Sequence, residues 1–328
     1  MSPKSAVPDP TGAMLRNRKV VVTGGAGFIG SHLCEELVAL GATVVCLDDF
    51  SAGKERNIAF LREHANFSVV RADVSHPAGL DQVFADTDTV FHNAASKKNV
   101  CLVDPAKDLH VNAGGALNLL EHARRHQVRK FVHASTGSVY GEPTVFPTDE
   151  SHPLRPVSYY GVSKLAGERY VDVFHRLYGL DTSILRYFHV YGPRQESNEF
   201  GGVVSIFLRN LAEKKPLTIF GDGHQVRSFT WVKDLVRANV ACATRPAATG
   251  QVYNAASGIS VSIADLAHKM NALLQGGVPV VHGPPLLGDI MHFEVSNQKI
   301  RRELGIEFEQ DFWGTLEKAL GSYRHDFS

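Results

Sequence analysis

The fold is decided by the stretch Lys19-Val-Val-Val-Thr-Gly-Gly-Ala-Gly-Phe-Ile-Gly30. Residues 19–22 are a β-branched run and read as a buried strand. Gly24, Gly25 and Gly27 follow as a turn whose lack of Cβ lets the backbone approach a phosphate. Phe28, Ile29, Leu33, Leu37 and Leu40 then recur at helical spacing, and Gly41 stands where a helix would end. Strand, turn and helix together offer free N–H groups and a positive dipole end to a pyrophosphate. A second strand, 43–47, leads into Asp48 and Asp49, about 20 residues on, where a carboxylate can bond an adenosine ribose. An acid there repels a 2′-phosphate, so NAD is expected rather than NADP.

Working outward, further strands are predicted over 67–74, 86–95, 129–135 and 181–187, and helices over 109–126 and 158–178. This alternation predicts an α/β fold, a doubly wound parallel sheet covered on both faces. After Phe188 glycine, proline and polar residues crowd the chain up to Gly223, around one helix near 203–214. Residues 229–244 read as helix and 251–255 as strand. The expected division is a disordered tail over 1–17, a Rossmann domain over 18–191 plus about 224–257, and a substrate lobe over 192–223 plus about 258–328.

The chain has 328 residues, 44% hydrophobic and 21% charged, with 34 basic against 34 acidic side chains. That balance provides no basic field for nucleic acid or an anionic membrane. No apolar run reaches the roughly 18 residues of a membrane span, and the first fifteen residues lack a signal-peptide core. Cys34, Cys46, Cys101 and Cys242 are scattered without metal-like pairing, and the 16 histidines show no metal-ligand spacing, so no metal site is expected. Cys34 and Cys46 read as small core residues, and a reducing cytoplasm is the expected compartment.

Tyr160 and Lys164 lie four apart on the helix predicted over 158–178, hence on one face. An ammonium beside a phenol favours the phenolate, which lowers the phenol's pKa and lets it take a proton from a sugar hydroxyl. Ser135 and Thr136 end the fifth strand, where the Thr136 hydroxyl can bond the same reacting oxygen. Thr136, Tyr160 and Lys164 are therefore the candidate catalytic residues.

With these residues in view, the chain resembles an extended short-chain dehydrogenase/reductase of the nucleotide-sugar epimerase/dehydratase group. The resemblance rests on Thr23–Gly30, Asp48-Asp49, Asp73-Val74, His92–Ala95, Ser135-Thr136 with Val139–Gly141, Tyr160–Lys164, Arg186–Arg194, Phe220–Gly223 with Arg227–Phe229, and Gly288-Asp289. It covers about residues 18 to 320. It implies tightly held NAD, a nucleotide-diphosphate sugar substrate and a homodimer packed through the helices at 109–126 and 158–178. It carries cofactor contacts onto Gly24, Gly27, Phe28, Ile29 and Gly30, and onto Asp48, Asp49, Phe50, Ser51 and Gly53. It adds Asp73, Val74, Asn93, Ala94, Ala95, Lys97 and Asn112, then Ala134, Ser135, Tyr160, Lys164, Tyr187, His189 and Val190. Substrate contacts fall on Lys97, Thr136, Tyr160, His189, Val203, Thr218, Phe220, Arg227 and Asp289, with Arg227 meeting the diphosphate.

Within this group, 4,6-dehydratases place an Asp-Glu pair after the active-site threonine, and decarboxylases a nearby glutamate. Here Thr136 is followed by Gly137 and Ser138, which lack that acid-base capacity. The resemblance thus implies 4-epimerisation, through transient oxidation and hydride return, of an NDP-hexose with a UDP-sugar as first guess. The alternatives are a dehydratase or dehydrogenase of the same family, or a non-catalytic NAD sensor. Two positions depart from the family's usual residues: His189 replaces an asparagine and Leu286 an arginine. Phe293 is expected at the gate beside the sugar's C2 substituent.

Overall fold

The computed structural model describes residues 14–96, 98–198, 201–286 and 289–317. Strands β1 (Lys19–Thr23), β2 (Thr43–Asp48), β3 (Phe67–Arg71), β4 (Thr89–His92), β5 (Lys130–Thr136) and β6 (Asp181–Tyr187), with Gln251–Ala255, form one parallel sheet. Its order is Gln251–Ala255, β6, β5, β4, β1, β2, β3. The winding direction therefore reverses between β1 and β4, and the crevice beyond their carboxyl ends is where such sheets bind ligands. This is the doubly wound α/β fold expected.

Each face of the sheet carries its own core. Helices Phe28–Ala39 and Val232–Thr244 cover one face, where Leu33, Leu37, Leu235 and Phe91 are fully buried. Helices Gly115–Arg125 and Tyr159–Tyr178 cover the other through Leu119, Leu120 and Val171. Each such side chain contributes about 1.5–3 kcal/mol by leaving water. A separate core, with Phe207, Leu217, Phe229 and Leu266, joins helices Val203–Ala212 and Ile263–Leu273.

Several expected boundaries shift. Residues 14–17 belong to the fold instead of a tail, because Leu15 is buried in the first core and the Asn17 amide donates to the Gly41 carbonyl at 2.8 Å. The helix expected over 109–126 is interrupted by a π-helical turn at His110–Gly114, and only Gly115–Arg125 is regular α-helix. The helix expected over 229–244 starts at Val232, since Thr230–Trp231 pairs with Val190–Tyr191 as strand. Histidines also enter the core: His92 and His133 are fully buried partners on β4 and β5, their rings 5.1 Å apart. All four cysteines are buried, and none is in a disulfide. Among the described residues no helix is long and apolar enough to cross a membrane, and no acid, histidine or cysteine cluster is placed to hold a metal.

Candidate active site

The glycine turn is held from below. Gly24 has φ +66°, and a Cβ there would lie 2.9 Å from the Ala94 amide nitrogen. At Gly30 an added Cβ would come within 2.1 Å of the Gly24 carbonyl oxygen, so the turn and its helix touch directly. Gly27 caps the helix without a side-chain hydrogen bond, which leaves first-turn amides for an anion. Asp48 accepts from the Ala26 amide at 2.9 Å and the Phe50 amide at 2.8 Å, and burial raises its pKa. Asp49 is exposed and closes a local turn by accepting from the Ser51 amide and hydroxyl. Nearby, the Asn93 side-chain nitrogen is buried without a hydrogen-bond partner among the described residues. An uncapped helix start, a floor without room for side chains and an unspent amide donor fit a dinucleotide.

Tyr160 and Lys164 sit in the first turns of Tyr159–Tyr178, whose start is fixed by Ser158 accepting from the Gly161 amide at 3.1 Å. The Lys164 ammonium is buried and donates to the Ala134 carbonyl at 2.5 Å. Burial lowers its pKa to about 8, against the opposing pull of Glu168 and Asp108. The phenol behaves contrary to expectation. Burial, followed by the Asp108 charge, pushes Tyr160 up to about 12, and the Thr136 hydroxyl offsets this only in part. Desolvation of the phenolate outweighs attraction to a lysine that is itself desolvated and bonded elsewhere.

Several residues expected at the cofactor also make contacts within the protein. Asn112 is fully buried, and its amide is spent on the Ser96 backbone at 2.9 Å and on Asp108 and Ser163 at 3.0 Å each. The bond to Ser163 ties this π-helical turn to helix Tyr159–Tyr178. Ser135 donates to Glu168 at 2.5 Å, Val74 is packed in the core, and Asp73 closes a turn with Ser75. Tyr187 donates to Asn93 at 3.1 Å, beside the cradle. Lys97 lies outside the described residues.

A cleft opens beside Thr136, lined by Gly137, Ser138, Tyr187, Phe188, His189, Arg227, Asp289, Ile290 and Phe293. The sequence therefore brings Thr136, His189, Arg227 and Asp289 together from distant segments. Arg227 is buried on Val226–Ser228, pairs with Asp289 at 2.7 Å and donates to the Ile290 carbonyl at 2.6 Å. Phe293 is buried edge-on to Phe188, with ring centres 5.3 Å apart. His189 holds φ +26°, a strained backbone for a residue with a Cβ. Val203 packs on the separate core, while Thr218 and Phe220 lie on Leu217–Phe220; none of the three lines the cleft. Leu286 is exposed.

The far wall is stitched to the chain that leaves β5. Glu142 accepts from the amides of Met291 at 2.8 Å and His292 at 3.1 Å. Thr148 exchanges backbone hydrogen bonds with Glu294 and Ser296 at 2.8 and 2.9 Å.

A glycine cradle at the sheet's reversal point, with a tyrosine–lysine pair beside an open cleft, defines a dinucleotide-dependent enzyme of the short-chain dehydrogenase/reductase class. The chain belongs to the NAD dependent epimerase/dehydratase family, which it matches over residues 20–256. It is 40% identical over 318 residues to the UDP-glucose 4-epimerase of Mycolicibacterium smegmatis, covering 94% of this chain and 99% of that one. The Thermotoga maritima UDP-glucose 4-epimerase, solved with UDP-glucose, superposes with TM-score 0.89 at 33% identity, over 94% of this chain and 100% of that one. The Bacillus cereus UDP-glucuronic acid 4-epimerase, solved with UDP-glucuronic acid and NAD, superposes with TM-score 0.87 at 32% identity, over 94% and 99%. NAD is the cofactor of this chain.

Proposed function

We propose that the chain is an NAD-dependent 4-epimerase of nucleotide-diphosphate hexoses, with a UDP-sugar as the first substrate to try. The carrying observation is the placement of Thr136 in the cleft that also gathers Arg227, next to the Tyr160–Lys164 pair. Tyr160 takes the proton of the sugar C4 hydroxyl, and Thr136 bonds the same oxygen. NAD, when bound, would supply a reversible hydride acceptor for the sugar C4 carbon. Lys164 would hold its nicotinamide ribose, and the Gly24–Gly30 turn its pyrophosphate. Arg227 exchanges Asp289 for the substrate diphosphate, and the 4-keto sugar turns over before hydride returns to its opposite face.

The choice of epimerisation over elimination of water rests on Gly137 and Ser138. Both line the cleft, and neither carries the acid and base that elimination across C5 and C6 requires. We read residues 18–191 plus about 224–257 as the NAD-binding unit, and 192–223 plus about 258–328 as the substrate lobe. Val162, Tyr170, Val173 and Leu177 form an exposed apolar stripe on the catalytic helix, which supports a homodimer through this helix. Buried cysteines without disulfides accord with cytoplasmic residence.

The test is incubation with UDP-, dTDP-, GDP- and CDP-hexoses, followed by mass and stereochemical analysis. The expected product is an isomer of equal mass with NAD retained. A product lighter by one water would overturn the reading in favour of a dehydratase.

A further inference from the structure

We propose that Asp108 is a positioning residue for the tyrosine–lysine pair, a buried counter-charge that keeps the reacting centre electrically neutral during turnover. This inference rests on the epimerase reading above and adds a residue to it.

Asp108 lies on helix Pro105–Leu109 and is fully buried. Its carboxylate accepts from the Ser163 hydroxyl at 2.5 Å and from the Asn112 amide at 3.0 Å. Ser163 immediately precedes Lys164 and also meets the Tyr160 carbonyl at 3.1 Å, so the acid is tied to the turn that presents both groups. Asn112 additionally donates to Ser163 at 3.0 Å, closing a three-membered ring of hydrogen bonds. A carboxylate with only neutral donors, sealed from water, is costly unless a charge nearby repays it.

The charged and titratable groups around the centre show which charge that is. Glu168 acts on Lys164 from its own helix, but Glu168 is already matched by Arg186 at 2.8 Å. His92 and His133 face Lys164 from β4 and β5, and burial keeps both neutral. Cys101, a buried thiol outside any disulfide, acts on Tyr160 from Lys98–Val103. Among the described residues, the cation acting on Asp108 is Lys164.

The charge count follows. A Tyr160 phenolate, the Lys164 ammonium, the cationic ring of oxidised NAD and the Asp108 carboxylate sum to zero. The sum stays zero once the phenol holds the proton and the ring the hydride. Without Asp108 the same buried set carries an uncompensated positive charge in both states. It would relieve that charge by releasing a proton from Lys164 or Tyr160 at lower pH.

The experiment compares wild type with Asp108→Asn and Ser163→Ala, using the protein as purified. Tyr160 ionisation is read from ultraviolet difference absorbance against Tyr160→Phe, and the pH profile of kcat is recorded alongside. Asp108→Asn should move the phenol titration and both limbs of the profile to lower pH by about 1 unit or more. Ser163→Ala keeps the charge and should leave the titration where it is while lowering kcat. Should Asp108→Asn not fold, Asp108→Ser, which admits water, gives the same readout. Activity reduced equally at every pH, with the phenol titration unmoved, overturns the proposal. If Tyr160→Phe retains turnover, the epimerase mechanism fails instead, so the two failures are distinct.

Discussion

Arg186 grips both carboxylate oxygens of Glu168, Nε to Oε1 at 3.0 Å and Nη2 to Oε2 at 2.8 Å, with both side chains nearly excluded from water. The pair ties β6 to the catalytic helix one turn beyond Lys164. Arg186 also donates to the Tyr140 hydroxyl at 2.8 Å, and Tyr140 donates to Asn254 at 2.7 Å. Glu168→Gln leaves a buried guanidinium without its counter-charge and should cost about 3–5 kcal/mol of stability. Pairing Arg186→Met with Glu168→Leu should cost markedly less. Urea unfolding of wild type and the two variants checks this, and an equal loss in the single and double variants would sink it.

Tyr160→Phe removes one hydroxyl and no packing surface. Turnover should fall by about 10²–10⁴-fold, the range general acid-base catalysis supplies. KM should change little, and NAD should stay bound. Steady-state kinetics with absorbance of the retained nucleotide make the measurement. A normal kcat rules out the phenol as the base.

His92 and His133 set an acid limit on stability. Burial holds the His92 pKa down at about 3 and lowers that of His133 strongly, whereas the unfolded chain protonates near 6.5. Between these values the unfolded state binds more protons, so stability falls as pH drops below 6.5. Each buried histidine contributes about 1.4 kcal/mol per pH unit there. His133→Phe should flatten the dependence between pH 6 and pH 4, as read from urea midpoints. An unchanged slope refutes the assignment.

Gly30→Ala drives a methyl into the Gly24 carbonyl, and relief requires the turn to move. The cost should be about 1–3 kcal/mol from overpacking. NAD retention should fall with it, because the moved backbone is the floor proposed above for the pyrophosphate. Nucleotide content after gel filtration reports the outcome, and full retention contradicts it.

Much of this was legible in sequence, for identifiable reasons. The glycine turn, its strand and its helix are local, and their chemistry is written within twelve residues. Tyr160 and Lys164 are four apart, so helical geometry alone makes them neighbours. Asp108 was not legible: its partner Ser163 lies 55 residues away, and the π-helical turn that carries Asn112 has no periodic signature. The pKa of Tyr160 was misjudged for the same reason, since burial is a property of the assembled sheet and helices. Nothing local in the sequence marks His92 and His133 as a buried pair, and only the β4–β5 register shows them side by side.

The hydrogen bonds from Glu142 and Thr148 to residues 291–296 bear on how this enzyme can be altered. The segment that lines one side of the cleft and the segment leaving β5 form one stitched unit, although about 150 positions apart in the chain. A graft of residues 289–296 from a relative of different sugar preference would tear those stitches unless residues 142–148 travel with it. The two segments are therefore one unit of exchange, and chimeras that honour the pairing are the ones to build.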